Sequence, residues 1–268
     1  IFKLVGRNLD DYAKLTKLSP MYRLNFIDEK INVFSEDNLM AEELSCKFPG
    51  EEGLTKFKQK ESWRLSKLYP LLASSNNKLT DALSWRFISA LPAFALGRSL
   101  FQELGRYFKS DKARLCFTFQ SKYLGMSPWE CPGAFAMVPY VEHHYGIYHV
   151  EGGLSQLSLA LAKAFIEEGG DLKLNSEVVT ILTKGKGAYG VKLKSGEEMF
   201  ADKIIMNADF AYGAENLFAP GLLKKYSPAK LSKKKYSCST MMLYLGLRKT
   251  YDLPHHSIIF ADKYKQNV

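Results

Sequence analysis

The 268-residue sequence is poor in cysteine: Cys46, Cys116, Cys131 and Cys238 are its only four, and no two form a Cys-x-x-Cys pair. That spacing supports neither a zinc cluster nor a disulfide framework, and it leaves a reducing, intracellular setting as the expectation. Long uncharged runs are missing too. The longest nearly uncharged stretch, Phe87 to Phe101, is about half a membrane span and contains Pro92 and Arg98, so no bilayer crossing is expected. No signal-like segment is recognised at the start. There is no Walker A loop, no Gly-x-Ser-x-Gly elbow and no His-Glu-x-x-His pair, which removes the usual sequence support for nucleotide hydrolysis, serine catalysis and zinc proteolysis. Internal repeats and low-complexity tracts are absent as well.

What is present is a globular composition. Apolar residues make up 46% of the chain, enough for a sizeable core. Lys and Arg outnumber Asp and Glu by 37 to 28, a net charge of +9 that favours an anionic partner without naming it. The chain begins with Ile1 and its last segment, DKYKQNV, directly follows a strand-like run. The expectation is a stretch of a longer polypeptide.

Residues 22 to 34, YRLNFIDEKINVF, alternate as two short strands around a tight turn and predict a β-hairpin. From Ser35 the period becomes helical, and Leu54, Phe57, Leu65 and Leu68 fall on one face. Helix dominates to about Tyr123, with a break expected at Pro92. After Gly146 the order becomes strand, helix, strand, hairpin, strand. Leu154, Leu157, Leu161 and Phe165 form the stripe of the helix that Gly169 and Gly170 end. LKL at 172–174, EVVTILT at 177–183, AYGVKLK at 188–194 and KIIM at 203–206 read as strands, as do STMMLYLGL and HSIIFA near the end.

The run Gly185-Lys186-Gly187-Ala188-Tyr189-Gly190 matches GxGxxG by letter but joins two strands. A dinucleotide cradle needs a helix after the glycines, so this is a hairpin turn. Gly152-Gly153 has better context, because it follows an extended segment and opens a helix whose first amides need partners. It is either a site of close ligand approach or a plain strand-to-helix turn. Asn207, Ala208 and Asp209 end a strand-like run where α/β sheets place ligands, although any such loop looks similar. His143-His144 and His255-His256 are adjacent pairs whose members point to opposite faces in a strand, and no metal site is expected from them. The six lysines from Lys224 to Lys235 read as a solvated face, with an acidic membrane surface as the second reading and nucleic acid behind it.

Beyond spacing, the ordered set RLCFTFQSKYLGMSPWECPGAFAMVPYVEHHYGIYHVEGGLSQLSLALAKAFIEEGGDLKLNSEV, the NAD of KIIMNAD, YSCSTMMLYLGL and LPHHSIIFADKY resembles the bacterial-type phytoene desaturases. The resemblance runs the length of the chain. It implies the fold class α/β plus α+β: the middle part of a two-domain, FAD-dependent amine-oxidase-like fold, with a Rossmann-type FAD domain and a substrate domain of antiparallel sheet and helices. On that template residues 1–34 are a β part of the substrate domain, 35–143 a helical, membrane-facing part, 144–215 the middle of the FAD domain and 216–268 a further β part. The family's N-terminal pyrophosphate cradle and C-terminal flavin segment have no counterpart here, so the isolated chain is expected to hold FAD poorly and to be inactive.

The resemblance also implies roles. Gly152 and Gly153 stand beside flavin and substrate, Gln156 lines the polyene cavity, and the backbone of Val178 holds the adenine. Asn207, Ala208 and Asp209 lie near the cofactor, and Asp81 matches, more weakly, an acidic position near the reacting centre, with Arg86 as its basic companion. The implied reaction removes a hydride and a proton from a phytoene-like polyene, with FAD as hydride acceptor and quinone or oxygen as final electron acceptor. Relatives that isomerise or oxygenate carotenoids, or saturate retinol, share these motifs, and a non-catalytic membrane- or partner-binding flavoprotein-like chain is the alternative of another class. A water-insoluble substrate implies peripheral docking on the cytoplasmic face of a membrane, for which Trp85, Phe87, Ile88, Leu91, Phe94 and Leu96 are the expected contacts.

Overall fold

In a computed structural model, residues 1–75, 79–185, 187–234, 236 and 240–266 are described. The chain divides into two compact units, Ile1–Ser158 with Ser237–Val268, and Leu159–Tyr236.

The first unit opens with β1 (Leu15–Lys17), β2 (Tyr22–Asn25) and β3 (Lys30–Val33). As expected, β2 and β3 form an antiparallel hairpin, in register Tyr22 with Val33 and Leu24 with Ile31. Alternation puts Tyr22, Leu24, Ile31 and Val33 inside. Helices α1 (Asp37–Lys47) and α2 (Leu54–Leu72) cover that face, and α2 buries Leu54, Phe57 and Leu68 on the stripe the periodicity predicts. Full burial of a side chain such as Phe57 contributes about 1.5–3 kcal/mol. Further on, α3 (Trp85–Ala90) ends where Pro92 lies in a 3-10 turn, Leu91–Phe94, so the expected break is present. Short helices α4 (Leu100–Leu104) and α5 (Asp111–Leu115) lead to α6 (Met137–Tyr145).

On the same buried face of α2 sit Glu61 and Arg64, which a hydrophobic stripe does not announce. Arg64 bonds Glu61 at 2.5 and 2.6 Å and Glu103 of α4 at 2.6 Å. Arg98 and Arg106 reach Glu103 at 2.7 and 3.4 Å, and Tyr107 donates to Glu61 at 3.0 Å. Each buried charge therefore has an opposite partner, the condition under which such a cluster is tolerated.

Strand β4 (Tyr148–Val150) pairs antiparallel with β1, Thr16 facing His149, and leads through Gly152-Gly153 into α7 (Ser155–Glu167). The expected stripe on α7 is not its buried face. Ala160 and Ala164 are buried, whereas Leu154, Leu161 and Phe165 are exposed.

The second unit holds an antiparallel meander of β5 (Val178–Lys184), β6 (Gly187–Leu193) and β7 (Glu198–Phe200), followed by α8 (Phe210–Asn216) and α9 (Pro228–Leu231). The GxGxxG letters fall in the β5–β6 hairpin, as their context requires, although Lys186 itself lies outside the described residues. Back in the first unit, β8 (Ser257–Ile259) lies parallel to β2.

Three strand expectations need correction. Residues 172–174, 203–206 and 240–247 have no strand pairing among the described residues, and Ile205 is 92% exposed. A β-prone segment becomes a strand only when a neighbour takes up its amides and carbonyls. Ser239, which opens the third of these runs, lies outside the described residues, as does Cys238.

Candidate functional site

The turn between β4 and α7 is built from two residues that only glycine fills easily. Gly152 has φ +81° and Gly153 +94°, a region L side chains avoid. The Gly153 amide donates to the Val150 carbonyl at 2.9 Å and the Gln156 amide to the Gly153 carbonyl at 3.0 Å. Gln156 folds back so that a Cβ on Gly152 would meet its Cγ at 3.1 Å, while a Cβ on Gly153 would stand in open space. The structure thus brings Gly152, Gly153 and Gln156 together, with one face of Gly153 open.

Next to this turn is a cluster the sequence reading missed. His149 of β4 faces His255, Nδ1 to Nε2, at 2.8 Å, and His255 faces His256, Nδ1 to Nδ1, at 3.0 Å. His149 is half-buried and the other two are exposed. Burial, then the neighbouring His256 and His149, hold the His255 imidazole below its ordinary pKa. Glu151 accepts from Thr16 at 2.9 Å and pairs with Lys14 at 3.1 Å, contacts that keep its carboxyl below the usual range. No group of three or more metal-ligating side chains fit to hold an ion occurs among the described residues. The only signal in the sequence was the His255-His256 pair; its partner lies 106 residues away.

Asp81 occupies a separate 3-10 turn, Leu79–Leu83, whose carbonyl at Asp81 caps Ser84 through backbone and hydroxyl at 3.1 and 2.6 Å. Arg86 is exposed on α3. In the second unit Val178 is half-buried opposite Leu193, beside an irregularity in the β5–β6 ladder. Asn207 and Ala208 are exposed, and Asp209 caps α8 by accepting from the Tyr212 amide at 2.8 Å. The Ile181 amide donates to the Leu217 carbonyl at 2.7 Å, tying β5 to the far end of α8.

The helical part of the first unit carries an apolar cavity of about 290 Å³, open at the surface, lined by Leu68, Leu71, Leu72, Phe94, Leu96 and Met137 among others. Phe87 and Phe94 pack against each other, centroids 5.6 Å apart, and against the cluster of Leu68, Leu71, Ala90 and Ala93. Of the expected docking group Trp85, at 80%, and Leu96, at 75%, are the most exposed, and Ile88 and Leu91 are exposed as well. The described lysines of the 224–235 run are exposed, a solvated face; Lys235 lies outside the described residues.

Residues 4–239 match the model of the flavin containing amine oxidoreductases. The chain belongs to that family. Among curated proteins it is 48% identical over its whole length to a 4,4'-diapophytoene desaturase (4,4'-diapolycopene-forming) of Methylomonas sp, covering 53% of that protein. It is 33% identical, over 98% of its length, to a zeta-carotene-forming phytoene desaturase of Myxococcus xanthus, of which it covers 51%. A neurosporene-forming phytoene desaturase of Rhodobacter capsulatus is 27% identical over 98% of the chain and 51% of its own length. The chain spans about half the length of the curated relatives it matches.

The residues present fit a flavin in part. Gly153 offers an open backbone face, and Asn207-Ala208 an exposed loop that leads into α8. Asp209, in contrast, already spends a carboxylate oxygen on its own helix.

Proposed function

We propose that this chain is the middle portion of an FAD-dependent carotenoid desaturase that introduces C=C bonds into phytoene or a diapophytoene-like polyene. The observation that carries the reading is the 48% identity, over the whole chain, to a 4,4'-diapophytoene desaturase. FAD, when bound, would supply the hydride acceptor, with quinone or oxygen as the proposed final electron acceptor. The Gly152-Gly153 turn and Gln156 form a wall against which a flat polyene and cofactor can lie, and Val178, Asn207 and Ala208 contribute backbone contacts to the cofactor. A hydrocarbon offers no polar handle, so discrimination rests on the shape and length of an apolar channel.

The exposed Trp85 and Leu96, beside a cavity lined by aliphatic and aromatic groups, support docking on a membrane from which such a substrate is drawn. Basic residues favour an anionic leaflet, the cytoplasmic face. No described helix is long and apolar enough to cross a membrane, which leaves surface docking as the proposed mode.

The test is expression of a polypeptide carrying this sequence within the full length of its relatives, in cells that accumulate phytoene or diapophytoene. Coloured polyenes with additional double bonds are expected. Colourless cells containing folded, flavin-loaded protein would overturn the assignment, and isomerised or oxygenated products would move it to another reaction of the same fold.

A further inference from the structure

Resting on the desaturase reading, the geometry points to His149, His255 and His256 as a proton relay, which accepts the proton lost by the polyene at His149 and delivers it through His255 and His256 to water. Forming the double bond needs two departures. A hydride leaves one carbon for the flavin, which is reduced. The neighbouring C–H bond breaks, its electron pair becomes the new π bond, and its proton must go to a base.

The three rings make one continuous row, with junctions of 2.8 and 3.0 Å between ring nitrogens. Each junction holds one proton. With protons on His149 Nδ1, His255 Nδ1 and His256 Nε2, all three rings are neutral and His149 Nε2 is bare. A proton taken there shifts both junction protons one ring along, and His256 releases its Nε2 proton to solvent. Alternatively the extra proton rests on His255, whose two N–H groups then donate to the Nδ1 atoms on either side. A second extra proton would set N–H against N–H, so the row carries one at a time.

Placement agrees with that direction. His149 is the half-buried end, on the strand that runs into Gly152-Gly153, and His255 and His256 are exposed. The groups facing the row are Glu151, at the end of the same strand, and Lys14 and Thr16 across the β1–β4 pair. Glu151 remains anionic beside the row, and burial with the neighbouring His256 and His149 disfavours the charged form of His255.

The experiment uses the full-length, flavin-loaded protein with two readouts. By NMR, the rings of His149, His255 and His256 are expected to share a single protonation step, which His255→Gln separates into independent titrations. Three independent steps in the unmodified protein would overturn the relay. In kinetics, His149→Gln and His255→Gln should each lower desaturation by ~100-fold or more with flavin content unchanged, flatten the acid limb of the pH profile, and recover in part with added imidazole. Unchanged rate and profile in folded His149→Gln would overturn it too. A flavin-loaded unmodified protein that forms no new double bond removes the desaturase reading instead, a different result from an active enzyme indifferent to its histidines.

Discussion

At residue 153 the backbone, not the surroundings, sets what can be tolerated. A Cβ at Gly153 meets no atom of the chain within 4 Å, which is the open face proposed for flavin and polyene. The penalty to folding comes from φ +94°. Gly153→Ala is expected to cost about 1–2 kcal/mol through strain alone, read as a lower urea midpoint at unchanged slope, with more lost for Val. Equal stability of the alanine variant would show that the turn relaxes freely. Gly152 differs, since any Cβ there also displaces Gln156 from 3.1 Å. Glycines were legible as a special turn because only they suit that conformation. The His149–His255 contact was not, because nothing local in a sequence records a pairing across 106 positions.

Among the elements, α6 carries a pH dependence of its own. His143 is buried, stacked on Phe117 at 4.8 Å, with Nε2 lacking a partner. Burial, then the nearby Lys58 charge, push its pKa down to about 4, against the partial support of the Phe34 backbone and Asp37. In the unfolded chain it titrates near 6.5, so between these values the unfolded state binds more protons and stability falls as pH falls. The loss should begin near pH 6.5, level off near pH 4 and reach on the order of 3 kcal/mol. Denaturation across that range in His143→Phe should lack this component; an unchanged slope would assign it elsewhere.

The same scale explains what could be read in advance. The β2–β3 and β5–β6 hairpins and the α2 stripe are local patterns, set by alternation, turn residues and helical period. Residues 172–174, 203–206 and 240–247 also carry a β-type pattern but have no strand partner among the described residues. Arg64 and Glu61 escaped a stripe scored by hydrophobicity because mutual pairing, not apolarity, lets them be buried.

For the whole molecule, the segments discussed above fall in two compact units. The glycine turn and histidine row belong to the first, and the Val178 and Asn207–Asp209 segments to the second. The surface proposed for membrane docking, with Trp85 and Leu96, belongs to the first unit as well. Because Phe87 and Phe94 serve the interior, the informative substitutions are Trp85→Ser and Leu96→Ser together. Flotation with anionic liposomes should fall several-fold in that variant with the fold intact, and undiminished binding would remove this surface from the docking role.

The central claim is that this chain lies at a flavin and polyene site. It is tested most directly by mixing the full-length, FAD-loaded protein with phytoene or diapophytoene in liposomes without oxygen or quinone. Loss of the oxidised flavin's visible absorbance, in step with the absorbance of a longer polyene and one new double bond per flavin, is the predicted result. Flavin that stays oxidised in the presence of both substrates would contradict the account.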